Sequence, residues 1–322
     1  MKSILSVVSA AALLLAPAAA DPHPPSRLVY QFPIPTWIET VLATRNGSLL
    51  ATIIGRGELH LIDPWQNSTK IIHTFKDRNT GFGMAELKPN TYAVNIANFN
   101  QTSGLGKDCE VYFVDLNNNK TKVKLIASFP DAGLLNGMAA LDAHTVLIAD
   151  SHKASVVRLD VDSGKYKTIM TDNLTMGTSK NEGGTQNGIN GVHIEGEYFY
   201  YSNGESGSIN RVKIDEKGYK AGPYETIATN FTIPDDLSVL EDGTVYVARV
   251  FANTLEKLSV EGERSVVIGG LNSSAVAGAS SIAFGRTWRD RNIAYVSTGG
   301  AQLRPVNGTY VENGKVVAVQ IN

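Results

Sequence analysis

One cysteine, Cys109, stands in 322 residues. It can close no disulfide within the chain, and it lacks the paired spacing of a zinc or redox motif. Neither staples nor sulfur ligands therefore explain the fold, and the thiol reads as a packed core residue. Charge is scarce and balanced, at 19% charged residues and a formal net charge of -2. Without a concentrated surplus of Lys and Arg to neutralise phosphates, nucleic acid is not expected as the main partner. The 12 prolines and 30 glycines follow no Gly-X-Y period, which excludes collagen. Chemistry-bearing motifs are also missing. Gly204-Glu205-Ser206-Gly207 matches a nucleophile elbow only in part, no phosphate-binding glycine loop precedes a helix, and the six histidines are scattered. Helical periodicity is almost absent. What is present is a 43% hydrophobic chain able to bury an extensive core.

The ends carry an address. Met1-Lys2 precedes a largely apolar stretch from Ile4 to Leu15, then Ala16-Pro17-Ala18-Ala19-Ala20. This run is too short for a stable membrane helix, and the Ala-x-Ala pattern suits signal peptidase. Residues 1–20 are expected to be a signal peptide and residues 21–322 a single secreted domain, with no later membrane span. Eight Asn-x-Ser/Thr sequons agree with export: Asn46, Asn67, Asn100, Asn119, Asn173, Asn230, Asn272 and Asn307. Their glycosylation requires exposed turns.

Short apolar strands recur in pairs, such as Thr145 to Ala149 with Ser155 to Val161, and Tyr198 to Ser202 with Ser208 to Ile214. Aligning the residues that open each unit gives Glu39, Met84, Asn136, Asn190, Asp235 and Ser281. A recurrence of roughly 40 to 50 residues with four short strands per unit is the signature of propeller blades. The fold expected is an all-β, six-bladed β-propeller, closed by pairing of a strand at Arg27 to Phe32 with the last blade; a β-sandwich fits the regular recurrence less well.

In a propeller the six openings converge on a funnel, which becomes the expected site for a small organic molecule. A second tier contains Arg56, Phe99, His152, Asn203, Arg249, Phe251 and Gln302. Among the ring residues, the carboxylates Glu39 and Asp235 and the carboxamides Asn136 and Asn190 form an all-oxygen set. A hard cation such as calcium prefers such a set, although Asn-Gly and Asp also open ordinary turns. Of the histidines, His152 alone is well placed for proton transfer.

Ile233-Pro234-Asp235-Asp236-Leu237, followed by Glu241-Asp242-Gly243-Thr244-Val245-Tyr246-Val247-Ala248, resembles the Pro-Asp-Gly segment of the senescence marker protein 30 and gluconolactonase propellers. That resemblance spans the mature chain and implies a metal shell of Glu39, Asn136, Asn190 and Asp235. Trp37-Ile38-Glu39-Thr40 and Ala283-Phe284-Gly285-Arg286-Thr287 are similar to a secreted fungal branch that includes hetero-Diels-Alderases. The narrower resemblance implies a specialised-metabolism enzyme joining a quinone methide to a terpene olefin, with no obligatory cofactor and calcium as an optional one. Arg56, His152 and Arg249 would then be donors, Trp37, Phe99 and Phe251 stacking walls, and Asn203 and Gln302 further substrate contacts, although each aromatic also suits blade packing. The alternatives are a calcium-dependent lactonase or esterase and a non-catalytic binding propeller.

Overall fold

The computed structural model describes residues 24–118, 120–178 and 187–321, so the leader at residues 1–20 and the sequon at Asn119 lie outside it. The described residues form twenty-four strands and no helix. The strands assemble into six four-stranded antiparallel sheets. Their innermost strands, Trp37–Ala43, Thr80–Lys88, Leu135–Ala140, Ile189–Glu195, Pro234–Val239 and Ala279–Phe284, touch one another in a closed ring. This is the expected six-bladed propeller.

Five blades read from inside outward in sequence order, the last takes its outer strand from the N-terminal segment, and the second strand of each blade is covered on both faces. Leu49–Ile54 and Thr145–Asp150 are buried along their whole length, which is why they read as continuous apolar runs. The outermost strands, such as Tyr166–Thr171 and Arg264–Gly269, are mostly exposed, and their polar composition hides them from such a reading. There is no single core. Six apolar clusters form instead, one at each interface between neighbouring blades.

All six inner strands break register at the same point, where a bulge inserts an extra residue. The bulges correct the sequence alignment. The partners of Glu39, Asn136, Asn190 and Asp235 in the second and sixth blades are Phe82 and Ser280, so Met84 and Ser281 are displaced from the assigned ring position by two residues and one residue. A polar side chain beside each bulge ties it to a neighbouring blade. Thr52 Oγ1 donates to Phe82 O at 2.9 Å, Asn95 Nδ2 to Leu135 O at 2.6 Å, and Ser151 Oγ to Ile189 O at 2.6 Å.

The ring's Asn-Gly pairs, Asn136-Gly137 and Asn190-Gly191, lie within strands and open no turn. A Cβ at Gly83 would lie 2.5 Å from Asn136 O, and one at Gly137 would lie 2.5 Å from Asn190 O. Glycine is required there because the backbones of consecutive inner strands abut. Where the glycine is missing, a hydrogen bond replaces the contact: Ser281 Oγ donates to Asp236 Oδ2 at 2.6 Å and accepts from Val41 N at 3.3 Å.

The ring is closed as anticipated. Strand Ser26–Gln31 pairs antiparallel with Lys315–Gln320 and forms the outer edge of the last blade, with Val29 fully buried. Deleting residues 21–32 should expose that edge and the first-to-last blade interface. Soluble yield should then collapse, and a truncated chain melting at the parent temperature would refute this role for the strand.

Candidate functional site

The ring divides the central channel. Glu39, Asn136, Asn190 and Asp235 line a cavity on each side of it, so they form the floor of both. One cavity, of about 360 Å³, is bounded by the starts of the inner strands and by loops joining second to third strands. Trp37, Ile54, Phe82, Phe99, Val250 and Phe251 form the apolar part of its wall, and Gln101, Thr102, Ser103 and Asn187 line it as well. Trp37, Ile54 and Val250 pack together there, with Phe99, Ile233 and Phe251 against them. The other, of about 550 Å³, is bounded by the later parts of the inner strands and carries His193, Glu195, Glu241 and Arg286.

The floor is electrostatically crowded. Burial pushes the Glu39 carboxyl well above the ordinary carboxylate range, and the neighbouring charges of Asp235 and Asp236 push it further. Asp235 is raised by burial and by Asp236, against the opposing Asn190 N–H, which donates to its Oδ1 at 2.7 Å. Asp236 is raised to about 6 by burial, despite donation from Ser281 and from the Leu237 N–H. No cationic side chain contributes to any of these shifts. The Trp37 indole N–H faces Glu39 and opposes part of its rise. It closes no hydrogen bond, however, and Nε1 stays buried without a partner.

The donor set suits a hard cation, because two uncompensated buried carboxyls stand beside two carboxamides on a shared floor. Glu39, Asn136, Asn190 and Asp235 are the residues that would hold it. Among the described residues no group of three or more His, Cys, Asp or Glu side chains is arranged as a metal site, so the fit rests on this mixed set.

The structure brings three expected wall residues, Trp37, Phe99 and Phe251, to the apolar cavity. It does not bring the expected donors there. Arg56 Nη2 donates to Thr36 Oγ1 at 2.6 Å, with its guanidinium beside Glu58 and over Phe32. Arg249 is buried in an ion pair with Glu256, which also binds Arg264, and both arginines lie over the Phe231 ring. His152 lies behind the wall beside Asn187, its pKa lowered mainly by burial. Asn203 is fully buried and spent on backbone, donating to Thr175 O and Gly177 O and accepting from the N–H groups of Glu205 and Ser206. Gln302 is exposed and donates to Thr36 O at 3.0 Å. The physical reason is shared: the propeller's own turns and ion pairs consume these polar groups. Cys109 is a packed thiol, with its pKa pushed up to about 11 by burial.

Sequence reasoning missed Phe82, Ile54, Ile233, Val250, Leu303 and Asp236. Aligning Phe82-Gly83 with Asn136-Gly137 and Asn190-Gly191 would have found Phe82. Ile233 has φ of 46° and precedes Pro234. A β-branched residue held in that region costs on the order of 1 to 3 kcal/mol, a strain that tends to collect at functional sites.

Two measurements check this placement. Arg249→Ala leaves Glu256 with half of its buried pairing and should cost about 3 kcal/mol of stability in urea unfolding, without altering ligand affinity at the cavity. A selective loss of affinity at unchanged stability would restore Arg249 to the site. His193 lies against the larger cavity, and burial drives its imidazole down to about 4. The unfolded chain protonates this residue near its ordinary value of about 6.5, so between those values it binds more protons than the folded protein. Stability therefore falls as pH drops through that window. Its partial exposure to cavity water reduces the effect to roughly 2 kcal/mol. His193→Gln should flatten the urea midpoint between about pH 6.5 and pH 4 relative to the parent; equal slopes would show that the imidazole is not desolvated.

No protein-family model matches the chain. The chain is 30% identical to a protein of Sarocladium schorii named hetero-Diels-Alderase asR5 over 323 aligned residues, covering 87% of this chain and 79% of that protein. A second hetero-Diels-Alderase by name, from a Phoma species, is 29% identical over 85% of this chain and 86% of its own. In structure, regucalcin from Agrobacterium tumefaciens superposes with a TM-score of 0.67 at 16% identity over 92% of this chain and 94% of its own. A luciferin-regenerating enzyme does so at 0.65 and 15% identity, over 92% and 95%. These two share the fold. By identity and coverage, the chain belongs to the family of the proteins named hetero-Diels-Alderases, built on the six-bladed propeller it shares with regucalcin.

Proposed function

We propose that the protein is an intermolecular hetero-Diels-Alderase that joins a quinone methide to a terpene olefin in the apolar cavity. The observation that carries this reading is the packed aromatic and aliphatic section of the cavity wall, standing above a polar floor. In such a cycloaddition the oxygen-bearing diene and the olefin form one C–C and one C–O bond as three π bonds reorganise. No proton, electron or group leaves. The reaction needs no nucleophile, and the absence of a recognisable triad in the sequence agrees with it.

The work left to the protein is to hold both reactants, exclude water and polarise the diene oxygen. A cavity of about 360 Å³ lies at the lower end of the range for small-molecule sites. Phe82, Phe99 and Phe251 keep water from a reactive electrophile. The donor is the Asn136 carboxamide: the residue lines the cavity, and its side chain makes no hydrogen bond to another described residue, whereas that of Asn190 is committed to Asp235. Arg56, His152 and Arg249 are not assigned this role because other groups engage or bury them.

One observation favours a second reading, a metal-dependent lactone or ester hydrolase: no cationic side chain offsets the buried carboxyls of Glu39, Asp235 and the adjacent Asp236. A divalent cation bound there would polarise a carbonyl.

The test incubates purified protein with a quinone methide precursor and a cyclic sesquiterpene, and separately with simple lactones, each with and without chelator. Stereoselective adduct formation that ignores chelator is expected. Asn136→Ala should lower its rate by about 10²-fold, the usual loss on removing one preorganised donor, while Phe251→Ala should mainly raise KM. Chelator-sensitive lactone cleavage that is lost in Asp235→Asn, with no acceleration of the coupling, would overturn the first reading in favour of the second.

A further inference from the structure

The fold sorts the seven described sequons. Four of the connections that line the apolar cavity are those holding Gln101 to Gly104, Asn187, Ile233 and Leu303. Asn100 opens the first of these connections, Asn173 lies in the second, Asn230 in the third and Asn307 in the fourth. Asn272 occupies the equivalent connection into the last blade. Five sequons, contributed in turn by blades two to six, therefore surround one mouth. Asn46 and Asn67 fall on connections at the opposite face.

All seven described sequon asparagines are exposed, and none donates its side-chain N–H to another described residue. Exposure alone does not account for this. Of the fourteen other described asparagines, ten donate theirs, including two, Asn79 and Asn117, of the four that are exposed. At Asn100 the carbonyl half of the side chain accepts from the N–H groups of Thr102 and Ser103, leaving the nitrogen outward.

The same loops expose large apolar side chains. Leu174, 87% exposed, directly follows Asn173, and Leu271, 57% exposed, directly precedes Asn272. Leu303 and Tyr310 flank Asn307, and Leu105 follows Asn100 across its hairpin. An apolar rim of this kind invites association unless something covers it.

We propose that Asn100, Asn173, Asn230, Asn272 and Asn307 carry N-linked glycans that form a collar around the funnel mouth and shield its apolar rim. The modification occurs as the chain enters the secretory pathway. Each amide nitrogen displaces polyprenyl pyrophosphate from the anomeric carbon of a polyprenyl-pyrophosphate-linked oligosaccharide. The C–N bond forms as the C–O bond breaks, and the amide gives up a proton. The collar bars macromolecules from that face and leaves the cavity open to small ones. It stands independently of the reaction proposed for the cavity.

Glycopeptide mass spectrometry on protein secreted from a eukaryotic host should find sugar on these five asparagines. Endoglycosidase trimming of the folded glycoprotein should raise apolar-dye fluorescence several-fold and induce self-association, and Leu174→Ser with Leu271→Ser should reverse much of that rise. Asn46→Gln with Asn67→Gln should change neither readout. Unmodified asparagines at the rim would overturn the proposal, as would trimming that leaves dye binding and association unchanged.

Discussion

Everything in this molecule depends on how closely six backbones approach one another at its centre. Gly83 and Gly137 sit where a methyl group would meet a neighbouring carbonyl at 2.5 Å. The contact fixes the ring diameter, and the adjoining bulges turn the preceding side chain toward the channel. The asparagine of each Asn-Gly pair is therefore aimed by the glycine after it. Six interblade clusters then hold the ring from outside, each filling one wedge, so no single core residue organises the whole. Closure by Ser26–Gln31 makes the arrangement cyclic and removes the two edges that an open array would leave.

That geometry imposes its cost at the floor. Pulling Glu39, Asp235 and Asp236 into one ring desolvates all three; Asp236 raises Asp235 further, and both raise Glu39. Hydrogen bonds from Asn190 and Ser281 offset part of this, and an unpartnered Trp37 N–H remains beside Glu39. Ile233 adds a strained backbone at the wall. These features concentrate within one small region, while the six interfaces around it are apolar and well packed. Such a distribution fits a scaffold that carries local instability where ligands are handled.

The architecture was legible because it repeats. Strand pairs buried on both faces write continuous apolar runs into the sequence, and their recurrence names the propeller without any single strand being decisive. The register of the ring was legible in four blades, where Glu39, Asn136, Asn190 and Asp235 are polar. It was misread in the second blade, where an apolar Phe82 occupies the position and drew the alignment on to Met84, and shifted by one at Ser280 between two adjacent serines. The outer strands escaped because their exposed faces carry no pattern that burial would impose.

The site's donors were harder to read, and the reason is general to this fold. Charge and hydrogen-bonding capacity at a blade end suggest a group that faces the funnel, but a blade end is also where turns and edges need satisfaction. Arg249 is consumed by Glu256, Asn203 by four backbone groups, and Arg56 by Thr36 and Glu58. What faces the cavity from those ends is what has no such use, namely Ile54, Phe99, Val250 and Phe251. The buried carboxyls and carboxamides are thus concentrated in the ring, whose spacing the glycines fix, while the wall is built from strand ends and loops that can change size without disturbing the closely packed ring. One scaffold can therefore keep the same floor and accept differently shaped apolar partners, a separation of duties suited to a reaction that asks mainly for shape and one aligned donor.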